Sequence, residues 1–280
     1  MDTKIFAGIV TFNPEIRRLE DNILAIKGQV ESIIVVDNNS DNLKDFEKII
    51  GKYKFCKLIK NAHNYGIAYA LNQIMEDSRI NGIKWVLLLD QDSICPQNLI
   101  TEFKKFLDYP NVAVITPVIK DINSFYAEST KEYIEEITRF ITSGSLNSVE
   151  IWEKLGKFDE TFFIDMVDYE YAFRLQRNGY KILRINNVQL LHEIGKMTHK
   201  KIGPFEISTY NHNAFRKYYI TRNSLLLAEK YPEYCSKVLI RLKIIKRGLI
   251  VLFCENDKIG KLNAMLRGYK DYKFMNKGKK

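Results

Sequence analysis

The hydrophobic pattern of this chain alternates between two kinds of stretch. Short, nearly uninterrupted apolar runs recur at residues 5–12, 32–37, 55–59, 84–90 and 112–116. Runs of that length and composition are what strands buried on both faces present. Between them lie segments with helical spacing. Pro14 opens one that reaches about residue 24, and Phe46, Ile49 and Ile50 line one face of the next. Ala68, Leu71, Asn72 and Met75 mark a third, and Pro96 starts a fourth that runs to 106. Further on, the pattern predicts helices over 149–155 and 168–178, the latter stopped by Gly179, and a strand over 181–191. A helix opens near Phe215, and another covers 237–253. Alternation of this kind predicts a mostly parallel sheet with helices on both faces. Residues 120–136 predict a loop or short edge strands, and the polar stretch 198–213 predicts a mobile loop. With no repeat or low-complexity linker, the reading is one α/β domain over 1–230 followed by a helical appendage over 231–280.

In an open α/β sheet, ligands bind at the carboxyl ends of the strands. Thr11, Asn13, Asp37, Asn38, Asp90 and Asp92 all fall at such ends. The fourth run closes in Asp90-Gln91-Asp92-Ser93. Strand alternation would set its two carboxylates on one side, where a cation relieves their repulsion. Oxygen sites of this kind suit Mg²⁺ or Mn²⁺, often shared with phosphate oxygens. Taken alone, Asp-x-Asp also describes a solvated acidic loop. No glycine-rich phosphate loop follows the first strand, which argues against dinucleotide oxidoreductases and P-loop NTPases. A second acidic cluster, Asp159, Asp165, Asp168 and Glu170, sits among aromatics. An Asp at a helix start is either a cap or a carboxylate available for proton transfer, and the local pattern leaves both open.

Composition changes this picture in two places. The 280 residues are 46% apolar and 28% charged, an ordinary globular balance. The formal charge of +9 is uneven: residues 231–280 hold 13 Lys and Arg against 4 Asp and Glu, and residues 1–230 hold 30 of each. A uniformly basic nucleic-acid binder is thereby disfavoured. The four cysteines are scattered without metal-type spacing, and the start lacks a basic-then-apolar leader. No uncharged apolar stretch is long enough to span a bilayer. These features predict a cytoplasmic protein.

Four motifs then stand in order. They are Thr11-Phe12-Asn13, Val36-Asp37-Asn38-Asn39-Ser40, the segment 61–72, and Asp90-Gln91-Asp92-Ser93. Together they resemble the GT-A family 2 glycosyltransferases, over roughly residues 4–230. The Asp-Gln-Asp-Ser variant most resembles bacterial rhamnosyltransferases that use dTDP-L-rhamnose to build surface polysaccharides. The resemblance implies a GT-A fold, a Rossmann-like sheet with flanking helices. It implies donor contacts from Thr11, Asn13, Asp37 (to the base), Asn38, Asn64, Gly66, Asn72, Asp90 and Gln91. Arg222, in a Tyr-Tyr-x-x-Arg-Asn pattern, would neutralise phosphate charge; a surface salt bridge is its plainer reading. Asp92 and Asp90 would face a divalent metal, with His192 as a further candidate ligand. Asp168 matches the family's general base. Val167 stands where a Glu is common, which leaves Asp165 or Glu170 as helpers on the acceptor side beside Ser143 and Gly144. The implied activity is inverting transfer onto a glycan or lipid-linked glycan. Alternatives are a galactofuranosyl or glucosyl transferase of the same fold, or a non-catalytic α/β module that binds metal or a partner.

The tail carries its own pattern. Val238, Leu242, Ile245, Leu249 and Leu252 form one apolar stripe on the last helix, with Lys243, Lys246 and Arg247 assigned to the opposite side. Such a helix either lies on an anionic membrane surface at the inner face of the plasma membrane or packs its stripe on the main domain or a second subunit.

Overall fold

The computed structural model describes residues 3–121, 132–192, 198–202 and 205–277. Four strand–helix steps and a fifth strand open the chain: β1 (Ile5–Thr11), α1 (Ile16–Ile26), β2 (Ser32–Asp37), α2 (Leu43–Ile50), β3 (Cys56–Lys60), α3 (Ile67–Ile80), β4 (Trp85–Asp90), α4 (Leu99–Lys104) and β5 (Val112–Asp121). Next come β6 (Ile134–Glu136), β7 (Ser145–Ser148), α5 (Val149–Lys154), α6 (Val167–Arg177) and β8 (Lys181–His192). The chain closes with β9 (Thr198–Ile202), β10 (Phe205–Thr209), α7 (Ala214–Lys230), α8 (Lys237–Cys254) and α9 (Lys258–Lys277). It divides into two compact units, Met1–Thr161 with Tyr171–Ile194, and Phe162–Glu170 with Gly195–Lys280. The second unit is therefore wider than a 231–280 appendage, because it takes in α7 and the residues that start α6.

The first unit is built on one eight-stranded sheet of order β3-β2-β1-β4-β7-β5-β8-β6. Strands β3, β2, β1 and β4 are mutually parallel, as are β5 and β8, while β7 and β6 run antiparallel to their neighbours. The apolar runs fill the interior: Ile9, Val35, Leu87 and Ile115 pack with Leu19 and Ile23 of α1 in one core. Such runs are buried because helices cover both faces of a parallel sheet. Helix α3 lies so close on β1 that a Cβ on Gly8 would fall 2.2 Å from Ile74 Cγ2. Only glycine admits that approach.

Two elements differ from the expectation set by the sequence. β7 has a polar sequence, Ser-Leu-Asn-Ser, yet every residue in it is buried between β4 and β5. Asn147 Nδ2 donates locally, to the carbonyl and hydroxyl of Ser145. The expected loop at 198–213 contains a two-stranded antiparallel hairpin, β9 with β10, whose pairs include Thr198 with Thr209. Cross-strand pairing of polar residues leaves no apolar alternation to read. Most of the irregular 120–136 segment lies outside the described residues, and its far end forms the short edge strand β6.

In the second unit, α7 and α9 meet at Gly268, where a Cβ would fall 2.5 Å from the Tyr218 carbonyl oxygen. Its interior is partly ionic. Glu255, inaccessible to solvent, accepts bonds from Lys217 Nζ at 2.7 Å, Lys261 Nζ at 3.0 Å and Thr209 Oγ1 at 2.6 Å.

Candidate active site

Strand register sets the first half of the site. Thr11 pairs with Asp37, Val10 with Asp90, and Asp37 with Lys60, so three neighbouring strands present Asp37, Thr11 and Asp90 at their carboxyl ends. Adjacent strands lie about 4.8 Å apart, so the row spans about 10 Å. Asp37 is fully buried. Its carboxylate accepts from Ser40 Oγ at 2.5 Å, Ser40 N at 3.0 Å and Thr11 Oγ1 at 3.3 Å. Asn13, at φ 49°, donates its N–H to Ser40 Oγ and accepts from Asp41 N. Thr11, Asn13 and Asp37 thus knit the loops after β1 and β2 into one network.

A second network shapes the entry to α3. Buried Asn38 donates to the Gly66 carbonyl at 3.0 Å and accepts from Asn61 Nδ2 at 3.0 Å, while Asn64 Oδ1 accepts from Gly66 N. Asn72 does not belong to this edge. It sits six residues beyond Gly66, about 9 Å along the helix. Its amide is engaged within the protein. Oδ1 accepts from Trp152 Nε1 and Phe158 N, and Nδ2 donates to Phe158 O and Glu160 Oε1. That arrangement links α3 to α5 and the chain after it.

At the end of β4 the backbone is tightly held. Asn22 Nδ2 donates to the Asp90 carbonyl at 2.7 Å, and Asp90 N donates to Ser143 Oγ at 3.3 Å. Ser143 also bonds the Ser93 hydroxyl, and Gly144 N donates to the Leu88 carbonyl. Gly144 has φ +80°, and a Cβ there would meet Leu190 at 2.7 Å, so glycine is required. Gln91 turns back to accept from Phe12 N. Asp92 lies in a turn closed by Ser93 N on the Asp90 carbonyl, so strand alternation does not set its direction, contrary to the expectation from the sequence. Asp90 and Asp92 are both partly exposed. Among the described residues no group of three or more His, Cys, Asp or Glu forms an all-protein metal cage. Two partly exposed carboxylates, one ending β4 and one in the turn just after it, are nonetheless a donor set that fits Mg²⁺ or Mn²⁺, which commonly take one or two carboxylates and complete their shell with phosphate oxygens and water. His192 ends β8, and its side chain lies outside the described residues.

The acidic turn belongs to the second unit, and its backbone is unusual. Asp165 (φ 62°) and Met166 (φ 67°) are consecutive left-handed residues without being glycine, each costing roughly 1–2 kcal/mol. Helix α7 holds them there. The Arg216 guanidinium grips the Asp165 carboxylate at 3.0–3.3 Å, and Asn223 Nδ2 donates to the carbonyls of Ile164 (2.7 Å) and Asp165 (3.1 Å). Phe163 stacks on Tyr219 with ring centroids 4.9 Å apart. Just beyond the turn, Asp168 stands half-buried in the first turn of α6, its Oδ1 accepting from Tyr169 N at 2.9 Å. Glu170 is fully buried and accepts from Lys230 Nζ and Tyr231 Oη, both at 2.7 Å. Ion pairs thus tie Asp165 to Arg216 and Glu170 to Lys230 on α7, and Asp168 lies between the two acids in sequence, at the start of α6. Arg222 lies over the rings of Tyr219 and Tyr218 and donates to Asn223 Oδ1. Burial, then the charge of Arg216, pulls His212 below the usual histidine range.

Sequence reasoning overlooked Asn22, Arg216 and the role of Asn223. Asn22 left one signal, a polar residue on the face of α1 that buries Leu19, Ile23 and Ile26. Asn223 closes the Tyr-Tyr-x-x-Arg-Asn pattern, but neither it nor Arg216 gave a sign of its partners, which lie 51 to 59 positions away.

A mostly parallel α/β sheet thus carries carboxylates at its strand ends, and comparison with known proteins gives the class to which it belongs. Over 94% of its length the chain superposes on 79% of S. aureus TarS 1-349 in complex with UDP-GlcNAc, with a TM-score of 0.62 at 15% identity. It also matches GalNAc-T7 with UDP, GalNAc and Mn²⁺, with a TM-score of 0.59 and 15% identity, over 68% of this chain and 43% of that one. The fold is that of the GT-A glycosyltransferases. Residues 7–167 match the model of Glycosyl transferase family 2. The chain is also 31% identical over 253 residues to the dTDP-rhamnosyl transferase RfbF of Shigella flexneri, an alignment covering 82% of this chain and 81% of that protein. The chain belongs to glycosyl transferase family 2 and is a glycosyltransferase.

Proposed function

We propose that this enzyme transfers L-rhamnose from dTDP-L-rhamnose, with inversion, to a hydroxyl of a growing bacterial surface polysaccharide or its lipid-linked precursor, at the inner face of the plasma membrane. The observation that carries the donor is the 31% identity to dTDP-rhamnosyl transferase RfbF across most of both chains. Thr11, Asn13, Asp37 and Asn38 shape the pocket for the nucleoside, and the loop through Asn64 and Gly66 forms its second wall. Asp92 and Asp90, with His192 as a third candidate, would hold the divalent cation. When bound, that cation stabilises the negative charge that grows on the leaving diphosphate. Asp168 accepts the proton of the acceptor hydroxyl as its oxygen attacks the anomeric carbon. The bond to the diphosphate breaks on the opposite face, so one displacement inverts the centre. Negative charge on Asp168 is favoured by the amide dipoles at the start of α6.

Binding and slow hydrolysis of a panel of dTDP-L-rhamnose, UDP-glucose and UDP-galactofuranose, each with Mg²⁺, Mn²⁺ or chelator, tests this reading. Metal-dependent preference for dTDP-L-rhamnose is expected. Preference for a UDP-sugar would reassign the donor, and undiminished binding in chelator would remove the metal from the mechanism.

A further inference from the structure

Helix α8 is oriented against the usual rule. Its buried side is made of small or sparse contacts, with Val251 and Cys254 inside and Gly248 facing Leu262 and Met265 of α9. Its apolar stripe faces solvent. Val238, Leu242, Ile245, Leu249 and Leu252, spaced four, three, four and three residues apart, are each 43–64% exposed, and Leu239 and Phe253 beside them are exposed as well. Seven large apolar side chains on one helix face exceed what a soluble surface ordinarily leaves in contact. The stripe is therefore not packed on the protein, which removes one of the roles its sequence allowed.

Charge selects the occupant. Helix α8 contains Lys237, Arg241, Lys243, Lys246 and Arg247 and no acid at all. Arg241 stands three residues after Val238 and four before Ile245, and Lys246 stands four after Leu242 and three before Leu249. At 100° per residue these two exposed cations border the stripe on its two sides, which corrects the placing of Lys246 on the opposite face. A second copy of α8 laid on this seam would bring cations against cations, with no carboxylate on either helix to answer them. Spanning is excluded for the described helices, none of which is long and apolar enough. An apolar stripe with flanking Lys and Arg is the layout of a helix lying in the plane of an anionic membrane, with its stripe at the acyl boundary and its cations at the phosphates. The neighbouring α9 adds exposed Arg267, Lys270 and Lys273.

We propose that the outward face of α8 docks this enzyme on an anionic phospholipid bilayer. The proposal gives the membrane location proposed above its contact surface, and it is independent of which sugar is transferred. The test is co-sedimentation of the full chain with vesicles of phosphatidylcholine, alone or mixed with phosphatidylglycerol, at low and high salt, alongside light scattering for oligomeric state. Binding to the anionic vesicles is expected, weakening with salt. Arg241→Glu with Lys246→Glu should lower it by more than the roughly fivefold that each neutralised cation contributes. Leu242→Asp with Leu249→Asp should abolish it while leaving the melting temperature unchanged, since both positions are exposed. Equal binding to the two vesicle types, or binding untouched by either variant pair, overturns the proposal. So does a dimer in solution that Leu242→Asp with Leu249→Asp dissolves while the wild type ignores vesicles, because the stripe then belongs to a second copy.

Discussion

At the residue scale, the informative positions are those where the backbone departs from its easy conformations. Asp165 and Met166 occupy the left-handed region in succession, and such strain persists only where neighbours over-determine it. Here the neighbours are Arg216, Asn223 and the Phe163–Tyr219 stack. The turn delivers the chain to Asp168, so α7 fixes where that carboxylate stands. Asp168→Asn is expected to retain donor binding and lose turnover by about 10²–10⁴. Asn223→Ala should lower kcat by about tenfold with little change in donor KM, and in the Asp168→Asn background it should cost nothing further, since coupled residues are non-additive. Steady-state kinetics of the two single variants and the double variant decide this. Full activity in Asp168→Asn would displace Asp168 as the base, whereas additive losses would leave Asp168 in place and reduce Asn223 to packing. The strand-end residues Thr11, Asp37 and Asp90 were legible in the sequence because each terminates an apolar run. The brace was not, since a contact between residues more than 50 positions apart leaves no local trace.

At the element scale, legibility followed burial. Strands β1, β2 and β4 are continuous apolar runs because helices cover both their faces, and the sequence announces them. β7 is equally buried but carries Ser145, Asn147 and Ser148, and it is a strand because its two neighbours supply the pairing. Helix α7 depends on a residue far beyond its own end: its Lys217 is buried, and Glu255 after α8 provides the counter-charge. Burial lowers the affinity of Lys217 for its proton. Burial also opposes the charge on Glu255, yet the bonds from Lys217, Thr209 and Lys261 outweigh it and hold that carboxyl below its usual range. A depressed carboxyl contributes stability that is complete above its unfolded value, near 4.3, and is lost as pH falls through the folded value. Glu255→Gln leaves two buried ammonium groups without their anion and should destabilise the protein by about 3–5 kcal/mol. Urea unfolding at pH 7 measures that loss. The wild type should lose part of its stability as pH falls below about 5, and the variant should show a flatter slope there.

At the scale of the whole molecule, the uneven charge seen in the sequence has a structural counterpart. The neutral 1–230 stretch carries the sheet, while the excess cations lie within 231–280, most of them on α8 and α9. The boundary at 230 is nevertheless not a structural one. Helices α8 and α9 pack with α7, and Glu255 and Lys261 complete its ionic interior. A chain ended at residue 230 is expected to lose cooperative thermal unfolding, measured by circular dichroism, so that truncation reports on folding and the surface variants of α8 are needed to report on attachment. A folded, fully active 1–230 chain would show α7 to be self-sufficient.

The second unit is made from two separate lengths of chain, Phe162–Glu170 and Gly195–Lys280, with part of the first unit between them. That arrangement bears on how such a gene changes. A single crossover between two related genes that falls within codons 171–194 gives the descendant its turn from one parent and its α7 from the other. The Arg216 grip on Asp165 and the Asn223 bonds must then fit across lineages that never met. The acidic turn and the C-terminal helices are therefore matched to each other as one piece, and replacing those helices by recombination means replacing the surroundings of Asp168 with them.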